Sequence, residues 1–233
     1  MPEFETHVKQ IIQRTYNVKS FRFNVPDNFS YKAGQYFYVT IRADGKQLQK
    51  HFSFSSSPTE KGYVELTKKL TGHEFSNALD TLRVDDWVRL KGPFGEFIYN
   101  GDCEKIAMLT GGIGITPIRS ICKFCTDNCD ETDIILLFGN RTEEDIAFRD
   151  DLEQMRRQNR NLKVIHTLSA PAGDWRGRVG RIDRQMVEQD IGDYLERRFY
   201  ICGPPAMVES MENMLKELKV PREHMIIENF PGY

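Results

Sequence analysis

The chain has 233 residues, a net charge of −2, 39% hydrophobic and 28% charged residues, a globular balance over enough length for two ordinary domains. Acidic and basic residues are interleaved, which excludes the clear basic excess of a typical nucleic-acid binder. The polar start MPEFETHVKQ lacks the apolar core of a signal peptide and no apolar run is long enough to cross a bilayer, so a cytoplasmic protein with no membrane partner is expected.

The first hundred residues read as short strands: Glu5 to Arg14, Ser20 to Val25, Gln35 to Ile41, Lys50 to Ser55, Tyr63 to Lys69 and Trp87 to Lys91. They are mostly alternating and rich in Val, Phe, Tyr, Thr and Ile, with turns such as Pro26-Asp27-Asn28 and Ala43-Asp44-Gly45 between them. One helix interrupts them, His73 to Leu82, where Phe75, Ala78, Leu79 and Leu82 have helical spacing. This pattern predicts an antiparallel Greek-key β-barrel.

The second half alternates strand and helix. Strands are predicted at Lys105 to Leu109, Asp133 to Phe138, Lys163 to Thr167, Phe199 to Cys202 and Met225 to Glu228. Helices are predicted from Pro117, from Glu144 to Gln158, from Asp183 to Gln189 and from Ala206 to Leu218. Such alternation implies a doubly wound α/β domain, a parallel sheet covered on both faces. Asn100-Gly101-Asp102 breaks both patterns, so domains are expected at 1–101 and 102–233.

Thr110-Gly111-Gly112-Ile113-Gly114-Ile115-Thr116-Pro117 follows the first parallel strand and opens a helix. Glycines at 111, 112 and 114 permit positive φ and close approach of a ligand. Thr116 suits a helix cap and Pro117 the first helical position. Free N–H groups and the helix dipole favour an anion there, a pyrophosphate above all. A tight turn with no ligand is the plainer alternative.

Four motifs then occur in order. They are His51-Phe52-Ser53-Phe54-Ser55-Ser56-Ser57 with Lys50 before it, Gly92-Pro93-Phe94-Gly95-Glu96-Phe97, the turn Gly111 to Pro117, and Cys202-Gly203-Pro204-Pro205-Ala206-Met207. Together they resemble the ferredoxin–NADP reductase-like family over nearly the whole chain. The resemblance implies a flavin, usually FAD, in the barrel domain, with NADH or NADPH as hydride donor in the α/β domain. It implies a flavoprotein reductase that passes electrons to a ferredoxin, a flavodoxin or an oxygenase component. By the same analogy Phe52 packs on the flavin ring, Ser53 hydrogen-bonds beside it, and Lys50 meets the phosphates. His51, Thr67, Lys69, Gly72 and Ser76 join them in the cofactor site. Gly111, Gly112, Gly114, Thr116, Pro117, Arg141, Gly203, Pro204 and Met207 fall on the dinucleotide side. Ser53, Cys202 and Glu228 correspond to the family's hydride-transfer residues. Phe230 matches an aromatic ring that covers the flavin, with Tyr233 as the alternative.

The sequence also departs from the family. Lys50 replaces an arginine and loses its bidentate fork. Phe52 replaces a tyrosine, as in the family's free-flavin reductases. Two other functions therefore stay open: a free-flavin reductase, and a non-catalytic electron-transfer or regulatory subunit. After the third parallel strand, Ser169 is followed by Ala170 where NADP users carry an arginine, which favours NADH. Arg141, Arg176, Arg178 and Arg181 are the cations that could take its place. Cys103, Cys122, Cys125, Cys129 and Cys202 are odd in number, against a disulfide framework. Cys122, Cys125 and Cys129 have the spacing of one helix face, so they read as core rather than as metal ligands, and no metal is expected.

Overall fold

A computed structural model describes residues 2–230. The first half forms β1 (Glu3–Thr15), β2 (Val18–Phe23), β3 (Tyr36–Ala43), β4 (Lys46–Ser53), β5 (Val64–Lys69), helix α1 (Glu74–Asp80) and β6 (Trp87–Phe94). These strands make one antiparallel sheet in the order β4-β3-β6-β1-β2-β5. Its two ends meet just past β4, where the Ser55 N–H donates to the Glu65 carbonyl at 2.8 Å. Alternation explains the sheet: Phe37, Val39 and Ile41 on β3 turn inward against Phe21, Phe23, Val88 and Leu90.

The second half forms β7 (Lys105–Gly111), α2 (Ile115–Asp127), β8 (Asp133–Asn140), α3 (Arg149–Gln158), β9 (Leu162–Leu168), β10 (Arg178–Val179), α4 (Arg184–Asp190), β11 (Arg198–Gly203), α5 (Pro205–Glu217) and β12 (Met225–Asn229). All these strands run parallel, in the order β10-β9-β8-β7-β11-β12. Both faces are apolar because both are covered. Ile106 and Met108 of β7 face α2 and α3, whereas Ala107 and Leu109 face α4 and α5. The doubly wound expectation holds. The chain enters at β7 in the middle of the sheet, winds out one way to β10, then returns to β11 on the other side.

Three local expectations need correction. The helix expected over Glu144 to Gln158 starts only at Arg149. Before it lies a short 3₁₀ turn, Glu143–Asp145, closed by a Thr142–Asp145 capping box. Ile146, Ala147 and Phe148 are then all buried in one core, with Phe148 at φ 60°. A regular helix cannot turn three consecutive side chains to one side, so burial breaks it. Next, α2 begins at Ile115, after a 3₁₀ turn over Gly112–Gly114, which makes Pro117 its third residue. Thr116 is therefore no cap; its hydroxyl donates back to the Ile113 carbonyl at 3.2 Å. Finally, Cys122 and Cys125 are buried, but Cys129 lies beyond the helix end, exposed, at φ 54°. It does not share their face.

The halves are joined by a common core. Val18, Ala33, Phe97 and Tyr99 of the first half pack in one cluster with Ile106, Ile118, Ile121, Cys122 and Tyr200 of the second. The Tyr200 ring meets Phe97 edge-on at 5.3 Å, and its hydroxyl donates to the Ile98 carbonyl at 3.0 Å.

Gly114 shows how tightly β7, α2 and β11 meet. A Cβ there would lie 2.5 Å from the Cys202 carbonyl oxygen and 2.7 Å from Thr110 Oγ1. Backbone cannot swing aside as a flexible side chain can. Gly114→Ala should cost about 1–3 kcal/mol in urea unfolding, the usual penalty of overpacking a filled site. A midpoint matching the wild type would show that the turn has slack.

Candidate functional site

In an open parallel sheet a ligand crevice forms at the carboxyl ends of the strands where the winding direction reverses. Here that point lies between β7 and β11. Their ends are tied by Thr110, whose hydroxyl donates to the Cys202 carbonyl at 2.8 Å. A cleft of 590 Å³ opens above them. Gly111, Gly112 and Ile113 line it from the turn, Asn140 and Arg141 from the end of β8, and Pro204 and Met207 from the start of α5. The Met207 side chain lies against both Gly111 and Gly203, in the space where their Cβ atoms would be. Gly112 sits at φ 52° with no atom within 4 Å of a Cβ position, so backbone there is open to a ligand. Both polar atoms of the Asn140 amide lack a partner in the protein.

A second cleft of 310 Å³ lies against β4 and β5. Lys50, His51, Phe52 and Ser53 line it from β4, Thr67 and Lys68 from β5, Thr116 from α2, and Glu228 and Phe230 from the end of the chain. Phe52 and Ser53 are only 7% and 6% exposed. The Phe230 N–H is held by the Gly203 carbonyl at 2.9 Å, which ties this wall to the end of β11. The donor set is aromatic rings, hydroxyls and two lysines. It matches a flat heteroaromatic ring carrying phosphates, so these residues fit a flavin nucleotide. The glycine backbone and open polar groups of the larger cleft fit a dinucleotide.

Charge in the smaller cleft is displaced from its usual values. Burial, helped by the neighbouring Lys50, lowers Lys68 to about 8. Burial raises Glu228 to about 6. Cys202 is wholly buried and pairs with Glu228 across the β11–β12 register; burial first, then the Glu228 charge, pushes its thiol well above the ordinary range. It lies behind the cleft wall rather than on it.

The fold thus brings together Lys50, His51, Phe52, Ser53, Thr67, Thr116, Glu228 and Phe230 at one cleft, and Lys69, Gly111, Gly112, Arg141, Pro204 and Met207 at the other. Gly72 and Ser76 line neither; Ser76 Oγ instead accepts the Thr71 N–H at 2.9 Å, closing the loop before α1. Gly114 and Pro117 are packing residues under the turn. Tyr233 lies outside the described residues. Lys68 and Gln49, and Tyr16, Asn17 and Asp145 of the larger cleft, were not expected, whereas Ser169 and Arg181, weighed above for the dinucleotide preference, do line it. Of these, Lys68 had a signal: a charged residue inside an otherwise buried strand.

A buried lysine with a lowered pKa makes stability depend on pH in a fixed direction. Above about 8 the unfolded chain, with lysine near its ordinary value of about 10.4, binds more protons than the folded one, so stability rises with pH through that window. Flavin-free protein should therefore gain stability from pH 8 to pH 10 relative to Lys68→Met, measured as urea midpoints of the pair. Parallel curves for the two proteins would show that Lys68 is not held in this state.

Comparison with known proteins assigns a family to each half of the chain. Residues 5–99 match the family model described as an oxidoreductase FAD-binding domain, and residues 108–213 the one described as an oxidoreductase NAD-binding domain. NADH-cytochrome b5 reductase 1 of Dictyostelium discoideum is 31% identical over 223 residues, covering 93% of this chain and 77% of that protein. The glycine betaine monooxygenase reductase subunit of Chromohalobacter salexigens is 30% identical over 229 residues, covering 95% of this chain and 62% of that protein. The cytochrome b5 reductase domain of Ulva prolifera nitrate reductase superposes with a TM-score of 0.86 at 25% identity, over 97% of each chain. The chain belongs to the ferredoxin–NADP reductase-like family, as an oxidoreductase with FAD- and NAD-binding domains that carries electrons from a nicotinamide dinucleotide to its flavin.

Proposed function

We propose that this chain oxidises NADH at the larger cleft, through FAD held in the smaller one, and passes the electrons to a separate redox protein. The flavin domain is taken as 1–101 and the dinucleotide domain as 102–233. One observation carries the reading: a single short segment serves both clefts, Gly112 lining the larger and Thr116, four residues on, the smaller. Two ligands bound there would meet at the start of α2.

FAD, when bound, supplies a centre that accepts a hydride and releases electrons singly. The chain's own residues hold and orient it. Phe52 offers a ring face, Ser53, Thr67 and Thr116 offer hydroxyls, and Lys50 and Lys68 offer charge to phosphates. Phe230 covers the cleft and must yield to the nicotinamide. Cys202 packs beneath it, as a neutral thiol. Glu228 has the clearest chemical task. Loss of hydride leaves a positive charge on the nicotinamide, and a nearby half-buried carboxylate stabilises it.

The dinucleotide preference follows from which arginines are free. Arg178 is not: its guanidinium is fixed on Asp190 at 2.9 and 2.8 Å, with Gln189 at 3.0 Å. Arg176 does not line the cleft; Arg141 and Arg181 do, but with Asp145 beside them. A carboxylate there opposes an added 2′-phosphate. The acceptor is a redox protein, with a haem protein of the cytochrome b5 kind or an oxygenase component as the candidates suggested by the relatives' names. Five free cysteines, one of them exposed, suit a reducing compartment such as the cytoplasm. Among the described residues no helix is long and apolar enough to cross a membrane.

Two measurements test this. NADH should bleach the yellow holoprotein, with a limiting rate constant that rises as pH increases through about 6 and becomes flat in Glu228→Gln. An unchanged profile in that variant would remove Glu228 from the step. Steady-state kinetics should give kcat/KM at least about tenfold higher for NADH than for NADPH. The reverse ratio, abolished by Arg181→Ala or Arg141→Ala, would assign the cleft to NADPH.

A further inference from the structure

Arg119 lies on α2, three residues after Thr116, and only 4% of it is exposed. Such a residue is normally a surface cation, so its partners matter. Its Nη1 donates to the Ser55 carbonyl at 3.0 Å and also to the Glu60 carboxylate. Nη2 reaches the other Glu60 oxygen at 3.3 Å. Nε and Nη2 together grip Asp151 Oδ2 of α3, at 3.2 and 2.8 Å. The next residue, Ser120, is fully buried and donates to the Ser56 carbonyl at 2.6 Å. Ser55 and Ser56 directly continue β4 beyond the cleft residue Ser53. A reciprocal contact crosses the same interface, from Arg14 of β1 to Asp151 at 3.5 Å. The Phe148 ring lies between the two guanidiniums, 4.6 Å from Arg14 and 5.6 Å from Arg119.

The placement on the helix gives these bonds a consequence. Thr116, Arg119 and Ser120 are i, i+3 and i+4, hence one face of α2. Thr116 lines the flavin cleft, and Gly112, just before the helix, lines the dinucleotide cleft. The Arg119 and Ser120 bonds therefore pin the segment serving both clefts to the strand that carries Phe52 and Ser53. Hydride transfer needs reacting atoms within about 3–3.5 Å, and a misplacement of about 1 Å costs on the order of 100-fold. Arginine's planar fork, shared among Ser55, Glu60 and Asp151, fixes orientation as well as charge, which lysine cannot. We propose that Arg119, aided by Ser120, is a positioning residue: it fixes the start of α2 against the Ser53–Ser57 segment and so sets the separation of nicotinamide and flavin. The proposal rests on the NADH-to-FAD reading above.

The test uses the FAD-loaded protein with Arg119→Lys and Ser120→Ala. Ser120→Ala leaves every ion pair intact and serves alone if the buried arginine cannot be replaced without unfolding. The limiting rate constant of flavin reduction should fall by about tenfold or more in Arg119→Lys, and by less in Ser120→Ala, while the NADH dissociation constant stays within about twofold and the visible spectrum is unchanged. Amide hydrogen exchange of the same proteins supplies a readout that needs no turnover: residues 54–57 and 111–116 should exchange faster together, with the centre of the parallel sheet unaffected. A wild-type limiting rate in a folded variant overturns the proposal. So does acceleration of only one of the two segments, or a parallel loss of rate, affinity and flavin content, which would mark a merely structural role. If NADH fails to reduce even the wild type, the functional reading fails, and joint or separate exchange of the two segments still decides whether Arg119 couples them.

Discussion

Tyr200 has no exposed surface, although it belongs to β11 of the parallel sheet and its hydroxyl is spent on the Ile98 carbonyl of the segment that precedes that sheet. That arrangement states the constraint on the whole molecule. The face of the sheet that carries Tyr200 is covered by α2 and α3, and also by Val18, Ala33, Phe97 and Tyr99, which come from the antiparallel half. Removing that half would expose apolar area at a cost of about 25 cal/mol for each Å². The two halves are thus held together by burial, a force with no directional preference. Polar bonds at the rim supply the direction. The clefts lie along this seam because only there do the carboxyl ends of the parallel strands face β4 and β5.

Electrostatics at the seam follow from the same burial. The smaller cleft keeps Lys68 and Glu228 where burial disfavours charge, lowering the lysine and raising the glutamate. Cys202 is different. Its thiol, behind the wall and next to Glu228, is held neutral, which makes it a packing and polarisable contact rather than a nucleophile.

How much of this was legible in the sequence depended on the range of the interaction. Alternation in Phe37-Tyr38-Val39 and the apolar run Ile106 to Leu109 identified strands because side-chain period is a local property. The doubly wound arrangement followed from the order of strands and helices. Residues 146–148 defeated the helical reading because a distant core, not local propensity, takes all three side chains. Thr116 failed as a cap because the 3₁₀ turn at Gly112–Gly114 moved the helix start forward. Among the residues that line the clefts, those in contiguous motifs were anticipated: Lys50 to Ser53, Gly111 and Gly112, Pro204 and Met207. Tyr16, Asn17 and Asp145 were not, since nothing near them in the chain says what they face. Two-residue β10 gave no periodic signal at all.

Those missed residues also explain why the larger cleft is a property of both halves. Its floor is made by the ends of β7 and β8 and the start of α5, but Tyr16, Asn17, Val18 and Lys69 close one side of it from the antiparallel half. Tyr16 stands at the tip of the β1–β2 hairpin, 70% exposed, with its hydroxyl on Asp145 at 2.9 Å. A single exposed aromatic residue is ordinary on a protein surface. Here it spans the seam to the 3₁₀ turn whose capping box interrupted the expected helix. The broken helix therefore has a use: the extra turn carries Asp145 out to meet the hairpin, while Phe148, three residues later, is drawn inward between the two guanidiniums. One local departure from helical geometry serves both the rim of the cleft and the buried contact beneath it.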